Sequence, residues 1–164
     1  MGNSGGVLVT RGTAAAELRG LMGAAGFVGV DGMDGLAEGW QVWEFADVRQ
    51  RGLATLVEKS GTPAVMVSYL DSDVGFVEAV MPGGSGSWSG LLNREVAEGY
   101  EIPLEEFPVE PAVTGALAWS AAAGLAPDEA LIRRALTGSA VFAEELAGLL
   151  FAALGIPGSR ASVG

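Results

Sequence analysis

The sequence predicts an α+β (mixed α/β) fold: a central sheet of about four to five strands with an antiparallel hairpin, helices packed against it, and a C-terminal set of three helices. Two observations carry this. Between Thr62 and Pro82, two apolar runs meet at Asp71-Ser72-Asp73, and the first is apolar on both alternating faces: Val65, Val67 and Tyr69 on one, Ala64, Met66 and Leu70 on the other. Such a strand belongs in the middle of a covered sheet. The second observation is element order. Strand, helix, strand, helix and hairpin are followed by helices alone, which suits a sheet with segregated helices better than a doubly wound one.

Taken in order, Gly6-Val7-Leu8-Val9-Thr10 is the first strand. Thr13 fits an N-cap for a helix over 13–23 with Leu18, Leu21 and Met22 on one face, ended by Gly23 and Gly26. The passage through Arg11-Gly12-Thr13 has neither the Lys-Ser/Thr of a phosphate loop nor G-x-G-x-x-G spacing, so it reads as an ordinary turn. A further strand lies at 27–30 or 40–46. Asp31-Gly32-Met33-Asp34-Gly35 is similar to a fragment of a calcium loop, but Met33 and Val42 occupy the third and twelfth positions where ligand oxygens are needed. It reads as a surface turn. In 40–46, Trp43 and Phe45 share a face opposite Trp40, Val42 and Glu44, and Trp40 is taken as the partly exposed, partner-facing ring.

A helix over 49–60 leads into the hairpin strands 62–70 and 74–81. The flexible loop Pro82-Gly83-Gly84-Ser85-Gly86-Ser87 precedes a short edge strand at 88–92, and Asn93 reads as a helix cap. That helix runs over 94–99, and residues 95–111 form an acidic connector, much of which Pro103, Pro108 and Pro111 keep extended. Helical spacing then resumes over 112–123. Pro127-Asp128-Glu129 opens a second helix with proline in its first turn, and Ser139 caps a third with Phe142, Leu146, Leu149, Leu150 and Leu154 along one face. The whole chain reads as one domain, divided into an α/β part (1–94), the connector (95–111), a helical part (112–155) and a loose tail (156–164).

Composition excludes more than it assigns. With no cysteine and no histidine, the chain cannot build a disulfide, a Cys/His zinc site, a Ser-His-Asp or Cys-His catalytic set, or a haem ligand of either type. Net charge of −11 argues against a basic surface for nucleic acid or anionic membrane, and favours a basic or mixed-charge partner protein. No uncharged apolar run reaches the ~20 residues of a membrane helix. The start carries neither a signal-peptide pattern nor a myristoylation motif. A cytoplasmic location is expected, and the Ala/Gly/Val bias with arginine preferred over lysine points to a GC-rich bacterial source.

Two groups of residues are candidates for function. Glu95, Glu98, Glu101, Glu105 and Glu106, followed by Glu110, lie in a stretch with no basic residue among them, which suits an electrostatic docking strip shared with Trp40. Asp71 and Asp73, two apart in an extended segment, point the same way and suit a shared divalent cation. The local pattern is similar to the strand-end D-x-D of nucleotide-sugar transferases, although too few βα units precede it for their nucleotide domain. A carboxylate pair for glycoside hydrolysis drawn from Glu44, Glu78, Asp71 and Asp73 has no marked cleft to act in. The expectation is a non-catalytic, acidic protein-interaction module needing no cofactor, such as an adaptor, immunity-like protein or regulatory subunit. The alternatives are a small metal- or ligand-binding protein centred on Asp71 and Asp73, and a structural subunit that packs against copies of itself.

Overall fold

In the computed structural model, which describes residues 4–12 and 14–158, the chain runs β1 (Gly6–Arg11), α1 (Ala15–Ala25), β2 (Phe27–Val28), β3 (Asp31–Gly35), β4 (Trp40–Phe45), β5 (Asp47–Val48) and α2 (Gly52–Ser60). It continues through β6 (Ala64–Leu70), β7 (Val74–Val80), β8 (Trp88–Leu92), α3 (Arg94–Gly99), α4 (Val109–Ala122), α5 (Glu129–Thr137) and α6 (Ala143–Ala153). Six strands form one sheet in the order β3-β4-β1-β6-β7-β8, and every neighbouring pair is antiparallel. β2 and β5 pair separately. The α+β fold and the C-terminal helical set are those the sequence predicts, with more strands than expected.

Helices cover both faces of the sheet, which is why β6 is apolar on both. Val9, Val65, Val67, Tyr69, Val77 and Leu92 share a cluster with Val113, Trp119, Ile132, Leu150 and Leu154 of the α4–α6 layer. On the opposite face Leu8, Trp43, Phe45 and Met66 pack with Leu18 and Met22 of α1 and with Leu53, Leu56 and Val57 of α2. At the β7–β8 end of that second face, Val74 and Leu91 are covered by Ala97 of α3 and by Ile102, Leu104 and Phe107.

Several local expectations are corrected. Asp31–Gly35 is not a surface turn; it is an edge strand paired with β4, held by main-chain bonding through an irregular register between Asp31 and Met33. α3 is the expected 94–99 helix, but the rest of the 95–111 stretch is less extended than expected. It contains a 3-10 turn at Leu104–Glu106 and the first turn of α4, where Pro111 fits because an early helical N–H has no partner inside the helix. Asp128, not a neighbour of an intrahelical proline, caps α5 by accepting from the Leu131 N–H at 3.1 Å, which leaves Pro127 outside the helix. Phe142 takes the cap position of α6 that Ser139 was expected to fill, and its ring is exposed while Leu146 and Leu150 are buried. Ile156, expected in a loose tail, is buried in the α4–α6 cluster. The Thr13 cap and the tail beyond Gly158 lie outside the described residues.

Candidate functional site

The tip of the β6–β7 hairpin is the three-residue loop Asp71–Asp73, which begins with a tight turn centred on Asp71 and Ser72. Asp71 and Ser72 both take positive φ, 49° and 61°, and the Asp73 N–H donates to the Leu70 carbonyl at 2.9 Å. Positive φ at both central positions is the type I′ geometry whose twist matches paired strands, and short polar side chains tolerate it. Ser72 Oγ–H donates to Glu144 Oε2 at 2.7 Å, and the Ser72 carbonyl accepts from the Ala143 N–H at 2.7 Å, so the tip is seated on the start of α6.

Beside it, Asn93 is fully buried and is not a helix cap in the hydrogen-bonding sense. Its amide nitrogen donates to the carbonyls of Asp73 (2.7 Å) and Ala140 (2.9 Å), and its amide oxygen accepts from the Ala140 N–H at 3.2 Å. One side chain thus ties the hairpin tip, the end of β8 and the loop between α5 and α6.

The two aspartates serve separate partners. Asp71 accepts from Ser4 Oγ at 3.3 Å, and Asp73 accepts from the Tyr100 hydroxyl at 2.5 Å. The Asp73 bond is the main reason the Tyr100 phenol is pushed up, with the Asp73 and Asp71 charges adding to it. Among the described residues no group of three or more acidic side chains is placed to hold a metal ion. Nearby Tyr69 is raised well above the usual phenol range by burial first, then by Glu144 and Glu44.

The acidic stretch forms a strap. Leu104 and Phe107 pack on the α3 side of the sheet, whereas Val109 and Ala112 pack on the α4–α6 side, so the chain changes faces beside β8, the border strand. From inside, Arg94 fixes the strap by donating to the Phe107 carbonyl at 2.6 Å and the Leu104 carbonyl at 3.3 Å, and Phe107 lies against Phe76 with ring centroids 6.0 Å apart. Glu95, Glu98, Glu101, Glu105, Glu106 and Glu110 are all exposed on it. Ser139 Oγ donates to Glu95 at 3.0 Å, and Glu110 pairs with Arg133. Ion pairs among the described residues are confined to Arg133, which leaves five strap carboxylates, Glu95, Glu98, Glu101, Glu105 and Glu106, without a basic partner there.

Trp40 does not join this surface. It is only 1% exposed, lies 6.2 Å from Trp119 between ring centroids, and is covered by the Arg11 guanidinium at 5.0 Å. The expectation of a partly exposed ring fails because Trp119 of the α4–α6 layer and the Arg11 side chain cover the Trp40 end of β4, whereas Glu44 farther along the same face is exposed. A different tryptophan belongs with the strap. Trp88 opens β8 and lines a cavity of about 210 Å³ with Ser87, Glu106, Phe107, Pro108 and Pro111. Gly115 on α4 makes room for the ring, since a Cβ there would stand 2.4 Å from the Trp88 Cβ. The Trp88 indole N–H is buried and has no acceptor among the described residues. No sequence signal marks this pocket, because it joins Trp88 to proline and glycine positions, Pro108, Pro111 and Gly115, that are far from it in the chain. No protein-family model, curated protein or solved structure matches the chain.

Proposed function

We propose that this protein is a non-catalytic interaction module that docks a basic partner protein against the strap formed by Glu95–Glu110. The observation that carries the reading is the rigid display of carboxylates. Arg94 and Phe107 hold the strap from within, while Glu98, Glu101, Glu105 and Glu106 face solvent with no basic partner among the described residues. Fixed like charges in a chain at −11 generate a negative field that accelerates encounter with a positive surface. Among the described residues no helix is long and apolar enough to cross a membrane.

The test is kinetic. A partner captured from the native host is measured against wild type and against the Glu101→Gln, Glu105→Gln, Glu106→Gln triple variant across a salt series. The association rate is expected to fall about tenfold or more between low and high salt, and the triple variant is expected to lose most of that dependence while dissociation changes little. An association rate indifferent to salt and to the triple substitution refutes the reading.

A further inference from the structure

Four large apolar side chains stand exposed among the described residues, and three of them, Tyr100, Val141 and Phe142, gather at the hairpin tip. The Tyr100 hydroxyl donates to Asp73. Val141 and Phe142 lie between Ala140, held by Asn93, and Ala143, whose N–H donates to the Ser72 carbonyl. The exposed pair is therefore clamped on both sides, because buried Asn93 bonds both the N–H and the carbonyl of Ala140. Phe142 also takes the N-cap of α6, where a Ser, Thr, Asp or Asn side chain would accept from the first turn and an aromatic ring cannot. The chain gives up a capping group there and leaves a ring 55% in water on a fixed loop. An aromatic already held in place has little freedom left to lose on contact, which suits a binding anchor. Carboxylates rim the patch: Glu98 and Glu101 flank Tyr100 in the chain, Glu95 accepts from Ser139, and Glu145 accepts from the Phe142 N–H. One cation, Arg134, lines the adjoining groove between α5 and α6 together with Glu145. A second copy of this chain would bring a rim of the same sign against this one, and facing like charges disfavour that pairing. The charge selects a partner whose apolar residue is framed by lysine or arginine.

We propose that Tyr100, Val141 and Phe142 form the apolar anchor of the docking face. It receives an apolar side chain of a basic partner protein, whose lysines or arginines meet Glu95, Glu98 and Glu101 on the rim. An exposed apolar patch with a polar border is the usual form of such a contact. The proposal rests on the acidic-strap reading and adds the place where the arriving partner is held. Rim charges act at long range and set how fast the partner arrives, whereas the contact at Phe142 must be broken before it leaves and so sets dissociation.

The experiment selects a phage-displayed library of random twelve-residue peptides on the folded wild-type protein. Binding kinetics of the enriched peptides are then measured on wild type, Phe142→Ser, Phe142→Leu and Glu98→Lys, and amide shifts are followed in ¹⁵N-labelled protein. The expected peptides pair a bulky apolar residue with lysine or arginine and shift the amides of Tyr100, Val141 and Phe142. Phe142→Ser, with the circular dichroism of the folded protein retained, is expected to release them about tenfold faster, and Phe142→Leu to stay within about threefold of wild type. Glu98→Lys is expected to slow association about threefold or more with a smaller change in dissociation. Failure to enrich any peptide, an acidic or wholly polar consensus, amide shifts confined to other residues, unchanged dissociation from Phe142→Ser, or association indifferent to Glu98→Lys each overturns the proposal. Sedimentation of the wild type as a dimer that Phe142→Ser disperses also overturns it, since a second copy would then cover the patch. The partner protein of the salt-series test separates the two readings. If its association depends on salt and on Glu101, Glu105 and Glu106 while its dissociation ignores Phe142→Ser, the strap reading stands and the anchor alone fails. If Phe142→Ser quickens its dissociation while association ignores salt and the triple substitution, the strap reading is the one that fails.

Discussion

Single side chains show where this protein carries polar groups away from water. Glu78 is half-buried on the α1–α2 face of the sheet, opposite Met66 and Ser89 across the strands, and its carboxyl is pushed up by burial against a smaller opposing effect of Arg51. The sign of the consequence follows from proton counting. Above the ordinary glutamate pKa of about 4.3, the unfolded chain has released this proton while the folded chain still holds it, so stability declines as pH rises through that window. Glu78→Gln imitates the protonated form. It is expected to melt higher than wild type at pH 7, with the difference shrinking toward pH 4, as followed by thermal denaturation across that range. A variant that melts lower than wild type at pH 7 would show that the ionised carboxylate is held favourably there.

Elements show which features could be read ahead of the structure. The hairpin was legible because apolar residues on both faces of 64–70 demand cover on both sides, and Asp71 and Ser72 suit the positive φ of its turn. The edge strand Asp31–Gly35 was not legible. Its glycines and aspartates show no apolar alternation, and main-chain pairing with β4 alone defines it. The acidic strap was legible as charge but not as shape, since its rigidity comes from Arg94 and Phe107 reaching non-local partners. At the turn itself, Asp71→Asn places the residue most at home in the left-handed region and is expected to leave stability unchanged or raise it by up to about 1 kcal/mol. Ser72→Gly relieves the same backbone strain, yet it strips Glu144 of the hydroxyl that bonds Oε2 while Oε1 already lacks a partner among the described residues. Urea denaturation is therefore expected to find Ser72→Gly no more stable than wild type, by contrast with Asp71→Asn. A gain in both would mean that the Ser72–Glu144 bond contributes nothing.

At the scale of the whole molecule, the C-terminal helices and the sheet share one apolar cluster, in which Leu150 is fully buried along with Val65 and Val67. Leu150→Ala is expected to cost about 2–5 kcal/mol, and sheet and helix signals should be lost in a single transition when tryptophan fluorescence and far-ultraviolet circular dichroism are compared. Phe142→Ser, at a ring 55% exposed, is expected to change stability by no more than about 0.5 kcal/mol. Two transitions in Leu150→Ala would show the helices to melt on their own. The sheet order adds a consequence for the chain during synthesis. β1 lies between β4 and β6, so it is made before both of the strands that flank it. Its second neighbour emerges about fifty residues after it, which at the usual pace of translation is roughly 3–10 seconds. Throughout that interval Val7, Leu8 and Val9 offer a strand with an unpaired border to any other nascent chain, so a ribosome stalled before Ala64 would release a fragment prone to aggregate.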